Sequence, residues 1–236
     1  MAAHQHVGLD GFRCLAIETS QPACSIAATV GGRRATREYA APGEQSRRVY
    51  ECIREVLDEL GQTLAELDCI AFGCGPGGFT GLRVGAAVSQ SLAYGAGLPV
   101  CRISSLAVLA AGAMHESGAD VVAACLDARM GEAYIGIYAN DANDADTGLQ
   151  MLLADQLVEP ATFTFPDGIV ALAAGNGWAV FPEMLERNAG AIIDTDMARL
   201  PSAATLLELA AIEFRAGRVV SPEEALPNYI RDKVTS

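Results

Sequence analysis

Residues 69–85 read Cys-Ile-Ala-Phe-Gly-Cys-Gly-Pro-Gly-Gly-Phe-Thr-Gly-Leu-Arg-Val-Gly. This is a buried strand, Cys69 to Gly73, that passes through a sharp glycine-proline turn into a helix predicted over Thr80 to Ala96. Gly73 to Gly78 formally fits G-x-G-x-x-G, the turn that seats a pyrophosphate in dinucleotide-binding folds. That fingerprint belongs to the first strand of a βαβ unit and needs an acid about 20 positions later. Here three strands and a helix come first, and no acid lies between Cys69 and Cys101. Phe79 stands where a P-loop requires lysine. Two readings of the turn remain open. Its N–H groups, with a helix N-terminus, can hold an anion, or the glycines serve a backbone that needs positive φ. Arg83 is the only charge in the 33 residues from Cys69 to Cys101. It falls in the first helical turn, where the macrodipole disfavours a cation, so a partner is expected. The choices are a phosphate, a carboxylate across a domain or subunit interface, or solvent.

Upstream, Cys14 to Ser20, Cys24 to Val30 and Arg33 to Tyr39 read as strands, with Gly31-Gly32 as a hairpin turn. Val49, Cys52, Ile53, Val56, Leu57 and Leu60 recur at helical spacing from about Glu44, and Gly61 ends the run. The outer face of that helix carries Arg48, Glu51, Arg54, Glu55 and Asp58. Thr63 and Glu66 form a capping-box pattern, and Pro99 to Ile103 is the next strand. The later half repeats the same order. Val121 to Leu126 and Glu132 to Tyr138 make a hairpin, and a third strand lies near Met151 after the acidic loop Asn140 to Gly148. Ile169 to Ala174 is a strand leading into Gly175-Asn176-Gly177 and a short helix from Trp178, and a last helix spans Ser202 to Ala216. Shared element order favours two related α/β lobes over one Rossmann sheet. The expected lobes are 12–104 and 105–220, with an extended arm, 221–236, that packs back on the first lobe.

Composition bounds the function. The 236 residues are 51% apolar and 19% charged, enough hydrophobic material for sizeable cores. No apolar run approaches the ~20 residues of a spanning helix, so no membrane role is expected. The opening Met1 to Arg13 lacks a signal-peptide pattern, which places the chain in the cytoplasm. Seven cysteines, an odd number without CxxC, read as reduced and buried. Sixteen basic against twenty-nine acidic residues give a net charge of −13, the wrong sign for gripping a phosphate backbone unaided.

Catalytic sets are scarce. Glu18-Thr19-Ser20 at the end of the first strand offers a carboxylate and two hydroxyls for a metal-nucleotide, or is simply a polar strand end. Asp127 and Arg129 read as a turn-stabilising pair. The histidines are His4, His6 and His115, the last near a helix end, and Lys233 is the sole lysine. No metal site, Ser-His-Asp triad or Schiff-base lysine can be assembled. The second helix carries small residues at Gly81, Gly85, Ser89 and Ala93, with Leu82, Val88 and Leu92 on other faces. A helix apolar nearly all round should be covered on more than one side. The cover is either the rest of the chain or an external helix packed on the small-residue stripe.

Taken in order, LAIETS (15–20), CSIAA (24–28), GCGPGGFTGLRVG (73–85), ISSL (103–106), LDARMGEAY (126–134), GNG (175–177) and PNYIR (227–231) closely resemble the bacterial TsaB (YeaZ) family of tRNA threonylcarbamoyladenosine biosynthesis proteins. The resemblance covers about Cys14 to Val234. It implies an actin-like, RNase H-like fold of the ASKHA superfamily, with two lobes of mixed sheets flanked by helices. It also implies a non-catalytic subunit that supports the catalytic subunit TsaD, with the P-loop ATPase TsaE, and meets tRNA through the complex. On this reading Ser46, Tyr50, Arg54, Gly85, Ser89 and Ala93 form the partner face, which makes a homodimer when the chain is alone. No catalytic or metal residue is expected and no cofactor is bound tightly. ATP or ADP is expected only at the interface with the partner, near Gly75, Gly77, Gly78, Thr80 and Arg83. Glu18 replaces the family's more usual Asp, Gly78 its usual Ser, and Gln45 precedes Ser46 where the family often has His. The alternative is an active small-molecule kinase or ATPase of the same superfold. A peptidase, a label attached to the wider family, has no triad or zinc set here.

Overall fold

The computed structural model describes residues 9–40, 45–140 and 148–231, with the side chains of 40 and 45–47 outside that description. Gly31 and Gly32 both take positive φ, 54° and 79°, and fold β2 (Ala23–Val30) back on β3 (Arg33–Ala40). β1 (Arg13–Glu18) pairs antiparallel with β2 on its other side, as the hairpin reading anticipates. Helix α1 (Gln45–Leu60) leads to β4 (Cys69–Gly75), and α2 (Phe79–Ala96) crosses over to β5 (Val100–Ser104). Both strands add parallel to β1, since a crossover helix brings the chain back in the same direction. The sheet order is β3-β2-β1-β4-β5.

The second sheet repeats this plan. β6 (Val121–Asp127) and β7 (Ala133–Asn140) form the expected hairpin, and β8 (Leu149–Val158) pairs antiparallel beyond it. β9 (Ala171–Ala174) and β10 (Ile192–Asp196) add parallel on the far side, joined through α4 (Asn176–Val180) and α5 (Pro182–Arg187). Read from β8, the order is β8-β7-β6-β9-β10, the same as in the first sheet. Duplicated mixed sheets of this order are the actin-like, RNase H-like plan.

Strand alternation decides the layers. Leu15, Ile17, Ile26, Ile70 and Phe72 point to one side of the first sheet, under α1 and α2. Cys14, Ala16, Ala27, Cys69, Ala71 and Cys101 point to the other side, a floor of small side chains on which α6 (Ala203–Arg215) lies closely. The thiols of Cys14, Cys69 and Cys101 stand 3.6 and 3.8 Å apart in that floor as small reduced hydrophobes. The last helix, expected with the later half, thus packs on the first sheet. Helix α3 (Ser105–Ser117) lies beside it and covers the second sheet through Leu106, Leu109, Ala113 and Met114. The far face of the second sheet is closed by Trp178, Phe181 and Met184. Truncating a fully buried Leu or Ile in such layers costs about 2–5 kcal/mol.

Candidate functional site

β1 and β4 end side by side, and their loops face the β6–β7 hairpin across a cleft of about 1000 Å³. Its walls are Thr19 and Ser20, the turn from Pro76 into α2, Asp127 to Arg129, and Asn228 to Arg231 of the C-terminal arm. Glu18, read above as either a metal-nucleotide carboxylate or a polar strand end, does not line it. Its carboxyl is fully buried, accepts the Ser20 amide at 2.7 Å and the Ser105 hydroxyl at 3.2 Å, and lies over Gly73, where any Cβ would overlap it. Burial pushes its pKa above the ordinary carboxylate value, with the Ser20 and Ser105 hydrogen bonds opposing. The Thr19 hydroxyl donates to the Gly81 carbonyl at 2.8 Å. The Glu18 carboxylate and the Thr19 hydroxyl are therefore engaged within the protein, the carboxylate partly by Ser105 at the start of α3, while the buried Ser20 hydroxyl has no partner among the described residues.

The glycine-rich turn serves close approach. The Gly78 amide donates to the Ser20 carbonyl at 2.7 Å. A Cβ on Gly77 would come within 2.6 Å of the Ser20 Cβ, and one on Gly81 would run into the Thr19 carbonyl. One turn on, a Cβ at Gly85 would sit 2.5 Å from the Thr19 hydroxyl. Helix α2 is thus drawn down onto the end of β1 along its small-residue stripe. Ser89 and Ala93 complete that stripe with no exposed surface. This corrects the expectation that Gly85, Ser89 and Ala93 present a partner face: they face the core, because only small side chains let the helix approach the sheet so closely. The outward face of α2 carries Thr80, Arg83, Ala87, Ser91 and Tyr94, and α1, which touches α2, exposes Tyr50 and Arg54. Ser46 is on α1 with its side chain outside the description.

Arg83 has partners that the sequence pattern does not name. Its guanidinium lies 3.7 Å from the centre of the Phe79 ring, and its Nε donates to the Tyr229 hydroxyl at 3.2 Å. Asp127 and Arg129 form the anticipated turn pair. Asp127 accepts the Arg129 amide at 2.8 Å and pairs with its guanidinium at 3.1 Å. His115 lies at the end of α3 and faces Glu208 at 3.5 Å. His4, His6 and Lys233 lie outside the described residues. Among the described residues no cluster of three or more His, Cys, Asp or Glu could hold a metal ion, and no helix is long and apolar enough to cross a membrane.

Sequence reasoning missed a second carboxyl, half-buried between the lobes. Asp155 of β8 accepts the Ser104 hydroxyl at 2.5 Å and the Tyr138 hydroxyl, while Ser104 caps α3 by accepting the amides of Leu106 and Ala107 at 3.1 and 3.3 Å. Burial pushes the Asp155 pKa up, opposed by the two hydroxyls. Nothing in the run Leu149 to Val158 marks this acid out from a polar position on an exposed strand.

The site therefore defines a two-lobed actin-like chain whose cleft-end carboxylate and glycine turn are committed to its own packing. The family model described as "TsaD: tRNA N6-adenosine threonylcarbamoyltransferase" matches residues 40–236. The chain is 34% identical over 225 residues to the tRNA threonylcarbamoyladenosine biosynthesis protein TsaB of Escherichia coli strain K12, covering 94% of this chain and 96% of the relative. It is 35% identical over 232 residues to the TsaB of Haemophilus influenzae, with 96% and 97% covered. The solved structure of YeaZ from Pseudomonas aeruginosa superposes with a TM-score of 0.84 at 36% identity, over 92% of this chain and 99% of that one. The chain belongs to the TsaB (YeaZ) family of tRNA threonylcarbamoyladenosine biosynthesis proteins.

Proposed function

We propose that this chain acts in threonylcarbamoyladenosine formation in tRNA as a non-catalytic subunit that supports TsaD. The observation that carries this reading is the internal commitment of Glu18, Thr19 and Gly78, which engages the carboxylate and the Thr19 hydroxyl at the end of β1 in the protein's own packing and leaves the buried Ser20 hydroxyl there without a partner among the described residues. The partner face is the outward side of α1 and α2, with Tyr50, Arg54, Ala87, Ser91 and Tyr94. Tyr94 is 74% exposed and Tyr50 48%, aromatic side chains of the kind that anchor interfaces. Alone, the same face favours a homodimer, since an isologous contact buries one patch against its copy. TsaE joins the complex as its ATPase. The net charge of −13 leaves tRNA to be held by the other subunits, in the cytoplasm. ATP or ADP is held only where TsaD meets the cleft mouth, with Thr80 and Arg83 exposed there beside Gly77 and Gly78, while Gly75 lies buried under the Asn228 carbonyl and Leu82.

The test is ATP turnover and tRNA modification by the purified chain, with and without TsaD and TsaE. The isolated chain is expected to be inactive, and modification to require its addition to the other two. Robust ATP turnover or phosphoryl transfer by the chain alone would replace this reading with the small-molecule kinase.

A further inference from the structure

The C-terminal arm does more than pack back on the first lobe. Val220 exchanges both backbone hydrogen bonds with Val100, at 3.0 and 2.9 Å, and Ala225 is fully buried in the first core. The Asn228 amide then donates to the Cys74 carbonyl at 2.7 Å. The Asn228 carbonyl lies 3.0 Å from where a Cβ on Gly75 would stand, a position any other residue would crowd. Tyr229 packs against Phe79 with ring centres 5.7 Å apart and the rings tilted by 40°, and accepts from Arg83. Two residues later the chain reaches the other lobe. Arg231 pairs with Glu132, donates to the Arg129 carbonyl at 3.4 Å and lies 3.4 Å from the Met130 sulfur, all at the tip of the β6–β7 hairpin. Ile230 packs on the core beneath that hairpin.

We propose that residues 225–231 are a strap that ties the two lobes together across the cleft and sets how far it opens. The reach of the chain carries the argument. From Asn228 to Arg231 there are three peptide steps, about 10 Å when fully extended. Both ends are anchored, one on the strand end of the first lobe and one on the hairpin of the second, and Pro227 stiffens the approach. That reach is the upper limit, so the hairpin cannot recede from the glycine-rich turn beyond it without releasing Tyr229 or Arg231. Arg129 and Met130, at φ 63° and 56°, hold the hairpin tip in the left-handed region that turns the Arg129 carbonyl and Glu132 toward this anchor.

Hydrogen–deuterium exchange on the full chain separates a strap from local packing. Arg231→Ala is expected to speed exchange about tenfold both in the hairpin peptides 128–133 and, across the cleft, in 76–83. Tyr229→Ala should do the same in both places. Glu132→Gln, which leaves the arm itself intact, should reproduce the Arg231→Ala pattern. Acceleration confined to the hairpin for Arg231→Ala and to 76–83 for Tyr229→Ala would overturn the proposal, as would no change at either wall. Equal loss of protection in the central strands β1 and β6 would also overturn it, since the arm would then be part of the global core.

Discussion

The two lobes share a strand order and part company beyond their first parallel strand. After β4 the chain makes a turn rich in glycine and an 18-residue helix. After β9 it makes Gly175-Asn176-Gly177 and a helix of five residues. Both turns use glycine for the same purpose. A Cβ on Gly77 or Gly81 would strike Ser20 or Thr19, and one on Gly175 or Gly177 would strike Cys125 at the end of β6. Asn176 then accepts the Asp127 amide at 3.1 Å, tying the second turn to its neighbour strand as the Gly78 amide ties the first to Ser20. The helices set the lobes apart. Helix α2 buries one face on its sheet and keeps another exposed, the face proposed above, with α1, as the docking surface.

The largest effect expected from this comparison is at the inward face of α2. Ala93→Arg buries a charge against the first core and should cost more than about 4 kcal/mol, enough to prevent folding, measured by urea unfolding. A folded Ala93→Arg chain would mean that the stripe is accessible after all. Next is Asp155→Ala, which strands the Tyr138 and Ser104 hydroxyls between the lobes and should cost about 2–3 kcal/mol. Its cost would be negligible if the second sheet docked independently of α3. On the outward face of α2 and α1, Ala87→Arg or Tyr94→Asp should change stability by less than about 0.5 kcal/mol. Affinity for TsaD, read by calorimetry, should fall 10- to 100-fold, about 1.4–2.8 kcal/mol.

The smallest expected effect is on pH dependence. Glu18 and Asp155 both have folded-state pKa values raised by burial, so between the ordinary carboxylate value and the raised one the folded state binds more protons than the unfolded. Their contribution is fully present below the ordinary value and is lost as pH rises through the raised one. The urea midpoint should therefore drop as pH climbs above the ordinary carboxylate range, and Glu18→Gln with Asp155→Asn should flatten that slope. An unchanged slope in the double variant would assign it to other groups.

Much of the fold is legible in the sequence because it rests on local signals. Gly31-Gly32 marks the first hairpin, Val49 to Leu60 marks α1, and the glycine turn marks the start of α2. Helix α3 leaves no such mark, since Ser105 to Ser117 is nearly all apolar: it is covered by α6 on one side and the second sheet on the other, and has no amphipathic period. The short edge strand Ile192 to Asp196 lacks alternation for the opposite reason, being mostly exposed. For the site, the small residues of α2 identify a close contact but not its direction, because a helix apolar all round looks alike from either side. Thr19 and Ser20, which set that direction, are about 60 residues away in the chain. The partners of Arg83 and Arg231 are likewise long-range and leave no spacing pattern.

The central claim, that the outward face of α1 and α2 and not the cleft end of β1 is where this chain works, is tested most directly by one rate. Threonylcarbamoyl transfer to tRNA is measured in a mixture of TsaD, TsaE and either the wild-type chain or a correctly folded Ala87→Arg variant. The account predicts that the variant at equal concentration supports less than about a tenth of the wild-type rate and that raising its concentration restores it, as a docking defect requires. A wild-type rate with the variant at limiting concentration would contradict the account.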